Sequence, residues 1–142
     1  MQITWQGWAI LSAAFAAATA ILAKVGVDSL PPAFATVVRT AVILVIVVGV
    51  WLAQGAAVGA GSPPPRIVGA LVASGAATGL SWLCYFQALK LGEASRVAPL
   101  DKLSVVLVVV FAAVFLGERL DVRGWTGVAL IAAGALLVAT RR

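Results

Sequence analysis

Residues 32–53 have the sequence PAFATVVRTAVILVIVVGVWLA, in which Arg39 is the only charged side chain. An α-helix rises 1.5 Å per residue, so about 20 such residues cross the roughly 30 Å hydrocarbon core of a bilayer. Pro32 suits the first turn of this helix, because the N–H that proline lacks would have no partner there. The run therefore predicts a transmembrane helix.

Similar apolar runs fill most of the chain. Of its 142 residues, 63% are hydrophobic and 11% are charged, which is less than half the charge of an ordinary soluble domain. We predict an all-α integral membrane protein that forms one domain over residues 1–142. Its five transmembrane helices are expected at about residues 5–24, 32–53, 67–90, 97–116 and 122–140. Five spans leave about 40 residues for loops, too few for a separate soluble domain.

The composition argues against several classes of function. The chain has no histidine and a single cysteine, Cys84, which lies inside an apolar run. We therefore expect no metal site, no disulfide, no cofactor and no enzymatic activity. Ten basic residues against five acidic ones are scattered between the runs, a pattern that indicates membrane topology control rather than nucleic-acid binding.

The basic residues weakly predict an orientation in the inner (plasma) membrane. The side of the N-terminus carries Arg66, Arg119 and Arg123. The opposite side carries Lys24, Lys90, Arg96, Arg141 and Arg142, with Lys102 just inside it. Cytoplasmic loops are enriched in Lys and Arg, so an outside N-terminus and an inside C-terminus are favoured, and dual topology stays open. Lys24 and Lys90 are expected to anchor their helix ends at the membrane interface.

Polar side chains recur along one face of the third predicted helix. They are Ser74, Thr78, Ser81 and Tyr85, spaced by four, three and four residues. This stripe either lines a solute pathway, with Trp82 and Tyr85 as contact surfaces, or consists of hydroxyls that bond to their own helix. Gly75 and Gly79 form a GxxxG motif and are expected to pack against another helix. The same packing role is expected for Gly127 and Gly134 in the fifth run.

Arg39 is the most costly residue of the predicted membrane region. It lies about 10 Å inside its helix, where an unpaired arginine costs at least about 2.5–3.5 kcal/mol. The fourth run carries Asp101 and Lys102 at a comparable depth, with Ser104 one turn further on. We therefore expect Asp101 to pair with Arg39. These residues either form a gate or substrate anchor, or make a structural salt bridge while Lys102 reaches the headgroups. In the first case their excess positive charge favours an anionic, zwitterionic or phosphorylated solute.

Three segments carry a resemblance to a known family. They are TVVRTAV at residues 36–42, ALKLGEASRVAPLDKLS at residues 88–104 and LGERL at residues 116–120. Together with the surrounding apolar runs they resemble an EamA domain, the five-helix repeat unit of the drug/metabolite transporter superfamily. The resemblance covers essentially the whole chain.

The resemblance implies a transport function and a partner. Most members of the superfamily contain two repeats of opposite orientation around a central cavity and move small metabolites or drugs. This chain contains a single repeat, so the resemblance implies a homodimer, preferentially antiparallel. We expect an exporter of a small metabolite that works by alternating access. The alternative is a non-transporting accessory or scaffold subunit of a larger membrane complex.

Overall fold

The computed structural model describes residues 4–55 and 63–141. Arg142, which entered the charge comparison, lies outside the described residues. The helices are α1 (Trp5–Ser29), α2 (Pro32–Ala53), α3 (Pro65–Leu91), α4 (Ala94–Asp101), α5 (Leu103–Phe111), a π-helical turn (Ala112–Leu116) and α6 (Val122–Thr140). The described residues contain no strand. Within these described residues, five helical segments are long and apolar enough to cross a membrane, with Ala94–Leu116 forming the fourth. The predicted all-α membrane fold is confirmed.

The first helix is longer than the sequence predicted. It continues to Ser29 instead of ending near residue 24, and an ion pair of 2.9 Å between Lys24 and Asp28 supports the added turn. The helix stops just before Leu30, because Pro31 disfavours helical backbone in the residue that precedes it. Lys24 therefore lies inside α1 and not at its end.

Contacts between residues divide the chain into two compact units. The central unit is Ala23–Lys90, and the terminal unit comprises the described residues up to Leu22 and from Leu91 onward. In the central unit, Val27 on α1 and Phe86 and Leu89 on α3 are almost completely buried. This small core lies where α1 and α3 end and where α2 begins.

Two lysines hold this end of the central unit together. Lys24 Nζ donates to the carbonyl oxygen of Leu89 at 2.8 Å, and Lys90 Nζ donates to that of Leu30 at 3.2 Å. The last carbonyls of a helix have no partner within the helix and attract positive charge, which explains the first of these bonds. The expectation that both lysines serve as interfacial anchors stays a prediction, and the structure adds that their ammonium groups bind carbonyl groups of the protein.

The terminal unit is built on α6, which packs against α4 and α5. Ala135 and Ala139, one turn apart on α6, are buried, and side chains of this size let helix backbones approach closely. Arg96 on α4 donates from Nε to the carbonyl oxygen of Ala139 at 3.0 Å. At the other end of α6, the carboxylate of Asp121 accepts a bond of 2.8 Å from the Gly124 N–H and so starts the helix.

The fourth span is not one regular helix, contrary to the prediction of a helix over residues 97–116. Pro99 has no N–H to donate. Three residues later the backbone hydrogen bonding changes from the i→i−4 pattern to i→i−3, because the Lys102 N–H bonds to the Pro99 carbonyl at 3.1 Å. Helix α5 then leads into the π-helical turn, which ends at Gly117. Gly117 has a φ of 69°, a left-handed conformation that glycine adopts without steric cost.

Candidate functional site

An arginine resting on aromatic rings lies inside the membrane-spanning part of the central unit. The guanidinium carbon of Arg39 on α2 lies 4.2 Å from the ring centroid of Trp82 on α3. The same atom lies 5.5 Å from the ring centroid of Phe86, one helical turn further along α3. Both distances fall within the range in which a ring quadrupole attracts a cation. The rings therefore stabilise a positive charge whose transfer into hydrocarbon would otherwise be costly in free energy.

No carboxylate neutralises Arg39 within its own unit. Asp28 is the one acidic residue in the sequence between residues 23 and 90, and its carboxylate pairs with Lys24. A ring that stacks on a guanidinium contacts one of its faces and leaves the N–H groups at the edges. In the central unit Arg39 thus keeps both its positive charge and a planar set of hydrogen-bond donors.

The hydroxyl groups near this arginine are engaged by their own helices. Thr36, which is buried, donates to the Pro32 carbonyl at 2.8 Å, and Thr40 donates to the Thr36 carbonyl at 2.8 Å. On α3, Thr78 donates to the Ser74 carbonyl at 2.9 Å. The bond on α3 favours the structural interpretation for Thr78, the one threonine of the polar stripe, since its donor is used within the helix. Ser81 is exposed, and Tyr85 is half-buried with its ring 6.4 Å from that of Phe86.

The terminal unit holds its membrane-embedded charges differently. Lys102 Nζ donates to Asp101 Oδ2 at 3.3 Å, and both side chains remain partly exposed. The pair sits where α4 gives way to α5, with Ser104 exposed in the first turn of α5. Two adjacent opposite charges leave this region with little net charge.

The sequence-predicted site residues are thus found in two groups. The structure brings Arg39 and Trp82 together in the central unit and Asp101 and Lys102 together in the terminal unit. The predicted pairing of Arg39 with Asp101 joins residues of different units and stays a prediction. The sequence analysis did not identify Phe86 as a neighbour of Arg39. The signal was present, because Phe86 follows Trp82 by four residues and the two rings therefore lie on one face of the helix.

The glycines predicted to pack helices face open space within the described chain. A Cβ atom added at Gly75, Gly79, Gly127 or Gly134 would meet no heavy atom within 4 Å. The packing of α6 against α4 uses Ala135 and Ala139 instead. The packing role of the glycines stays a prediction. Packing would require a contact surface from outside the described residues of this chain, because those residues do not approach these glycines.

Five spans with charged side chains at intramembrane depth define an integral, multi-pass membrane protein. Its sequence matches the EamA-like transporter family over residues 3–140. The chain belongs to this family.

A curated relative matches nearly the whole chain and has a name that fits this family. The two sequences are 55% identical over 139 residues, which cover 98% of this chain and 99% of the relative. The relative comes from a Sinorhizobium species and is named "Uncharacterized transporter in cobO 3'region". No solved structure matches the chain. Family and relative together indicate a membrane transporter rather than an enzyme.

Proposed function

We propose that this protein exports a small anionic or zwitterionic metabolite across the cell (inner) membrane by alternating access. The observation that carries the proposal is Arg39, a cation that contacts aromatic rings inside a span, while the one carboxylate of its unit, Asp28, pairs with Lys24. An ionised side chain at this depth is expensive and is usually retained for function. In a member of a transporter family, that function is recognition of the transported solute.

The roles of the individual residues follow from their chemistry. Arg39 binds the negative group of the solute, and Trp82 with Tyr85 offers it aromatic surface. Ser81 and Thr78 line the same face of α3. Asp101, Lys102 and Ser104 form a second polar group in the interrupted fourth span, where they act as a gate or a further contact for the solute.

We further propose that the working unit is a homodimer with antiparallel subunits. Five helices are too few to enclose a solute from all sides, and two copies of opposite orientation reproduce the inverted repeats on which alternating access is commonly built. The open glycine faces of α3 and α6 suit such contacts, because small residues let helices of two chains approach closely.

The dimer is tested by filling the glycine face of α3. Gly75→Leu and Gly79→Leu should each shift the protein from dimer to monomer in lipid nanodiscs, measured by single-molecule subunit counting. Gly69→Leu is the matched control, because Gly69 also faces open space but lies on another side of α3. A dimer that persists in both variants would contradict an interface on α3.

The orientation of the subunits is tested by labelling from the two membrane faces. Cys84 is replaced by alanine and one cysteine is added after the C-terminus. Labelling of this cysteine from both faces supports antiparallel subunits. Labelling from the cytoplasmic face alone would overturn that arrangement and favour the accessory-subunit alternative.

Transport itself is tested in proteoliposomes with a panel of radiolabelled carboxylates and amino acids. We expect uptake of at least one solute, a loss of at least tenfold in Arg39→Gln and unchanged uptake in Arg66→Gln, which alters an exposed arginine in the first turn of α3. Folded dimers that transport nothing from the panel would overturn the proposal and support a scaffold role.

A further inference from the structure

The number of available charges limits what the central unit can bind. Between residues 23 and 90 the sequence has four basic residues, Lys24, Arg39, Arg66 and Lys90. Lys24 and Lys90 each bind a backbone carbonyl, and Arg66 lies in the first turn of α3, at the opposite membrane end from Lys90. Arg39 is therefore the one cation that the central unit of a single chain places at intramembrane depth, and on its own it balances one negative charge. A second charge on the same solute would be desolvated without compensation.

The shape of the cation selects the negative group. A guanidinium has donors in a planar fork that matches both oxygens of a carboxylate, whereas an ammonium is a point charge without such a fork. The guanidinium carbon lies 4.2 Å from the ring centroid of Trp82, and a guanidinium that stacks on a ring keeps the fork at its edge for a carboxylate lying in the same plane. The ring also limits the rotation of Arg39 and so lowers the entropic cost of ordering its side chain on binding.

The surroundings of Arg39 select the rest of the solute. The neighbouring groups on α3 are aromatic, namely Trp82, Tyr85 and Phe86. Thr36, Thr40 and Thr78 have their hydroxyl hydrogens engaged with carbonyls of their own helices. A solute with many hydroxyl groups would find none of these three hydroxyl hydrogens free, and each solute hydroxyl that loses water without a new partner weakens binding.

We infer that the Arg39 site recognises an organic monocarboxylate with a flat apolar body, and that it discriminates against dianions and polyhydroxylated acids. The carboxylate accepts two N–H bonds from the edge of Arg39, and the apolar body lies against the aromatic side chains of α3. This inference deepens the proposed transport function and rests on it for the biological role of the site.

The test is saturation binding of radiolabelled benzoate to the full chain in lipid nanodiscs at neutral pH. Benzoate carries one carboxylate on a flat apolar ring. Unlabelled competitors each change one property of it: benzyl alcohol removes the charge, phthalate adds a second carboxylate and gluconate replaces the ring with hydroxyl groups. We expect unlabelled benzoate to compete at least tenfold better than any of the three. Equal competition by phthalate or gluconate would overturn the assigned selectivity.

Variants connect this binding to Arg39. Arg39→Gln should raise the Kd for benzoate by about 10- to 100-fold, because a charge-assisted pair of hydrogen bonds is lost. Arg39→Lys keeps the charge but not the fork and should raise the Kd by about tenfold. Arg66→Gln should leave the Kd unchanged. If Arg39→Gln does not fold, Arg39→Lys decides, and a Kd equal to that of the native protein would contradict the site.

Binding and transport are measured separately so that their failures can be told apart. Benzoate binding that depends on Arg39, without flux of any solute in proteoliposomes, would support the inference and contradict the transport function. Flux of another solute, with no binding of benzoate, would support transport and overturn the inference.

Discussion

The two units of this protein each place charged side chains about seven residues inside a membrane span, but they stabilise them in different ways. In the central unit, Arg39 rests on the rings of Trp82 and Phe86. In the terminal unit, Asp101 and Lys102 neutralise each other at 3.3 Å. A charge paired with its opposite has little attraction left for a solute, whereas a charge stabilised by rings keeps its N–H groups available. The difference is the reason why we propose anion recognition in the central unit.

The units also share one feature. In each, a basic side chain donates to a carbonyl near the C-terminal end of another helix: Lys24 to Leu89 in the central unit and Arg96 to Ala139 in the terminal unit. Such bonds satisfy carbonyls that have no helical partner and place positive charge at the negative end of the helix. Several basic residues that predict orientation from the sequence thus also hold helix ends together.

The largest effect is expected from separating the charges of the terminal unit. Asp101→Asn leaves Lys102 without its partner and should lower the free energy of unfolding by about 2–3 kcal/mol. Lys102→Gln in the same chain should restore most of this loss, because no uncompensated charge remains. Denaturation by sodium dodecyl sulfate in mixed micelles measures both variants.

Arg39→Gln provides the matching measurement in the central unit. It removes a costly charge together with its ring contacts, so the free energy of unfolding should change by less than about 1 kcal/mol. A loss as large as that of Asp101→Asn would show that both units hold their charges for stability alone.

The next effect concerns the ring beneath Arg39. Trp82→Leu removes the aromatic face and should destabilise the protein by about 2 kcal/mol, the value of a desolvated cation–π contact. Trp82→Phe keeps a face of weaker attraction and should lose about half as much. Adding Arg39→Gln to Trp82→Leu should recover most of this loss, because the charge that has lost its ring is then removed. Additive losses in this double-mutant cycle would argue against a direct contact.

A smaller effect is expected at the helix ends. Lys24→Met and Arg96→Met each remove one hydrogen bond to a carbonyl and should cost about 1–1.5 kcal/mol, with similar values in the two units. The same denaturation experiment measures them. If only one substitution destabilises the protein, the shared role of these two residues would have to be abandoned.

The smallest effect separates the two contacts of Lys24. Asp28→Asn removes the ion pair of 2.9 Å and leaves the bond to Leu89 in place. Pairs of this spacing on an exposed helix surface contribute about 0.2–0.5 kcal/mol. We expect a loss of that size, which high salt should reduce. A loss as large as that of Lys24→Met would mean that Asp28 positions the lysine.

The sequence predicted the spans more reliably than it predicted what their polar groups contact. Pro32–Ala53 and Val122–Thr140 begin and end where the apolar runs do. The additional turn of α1 was missed because Asp28 and Ser29 are polar, although an ion pair to Lys24 supports helix there. The interruption after Pro99 was missed as well, since hydropathy does not register the lost backbone donor.

Hydropathy and helix length alone predict that this chain spans a membrane five times and that Arg39 is an expensive residue there. Both conclusions depend only on the free energy of transferring side chains and backbone into hydrocarbon, which is a property of each segment alone. The contacts of Arg39 with rings of α3, and of the lysines with carbonyls at the helix ends, became visible only in the packed helices. Such contacts depend on how one helix is rotated against another, and apolar runs that could face lipid on every side do not specify that rotation.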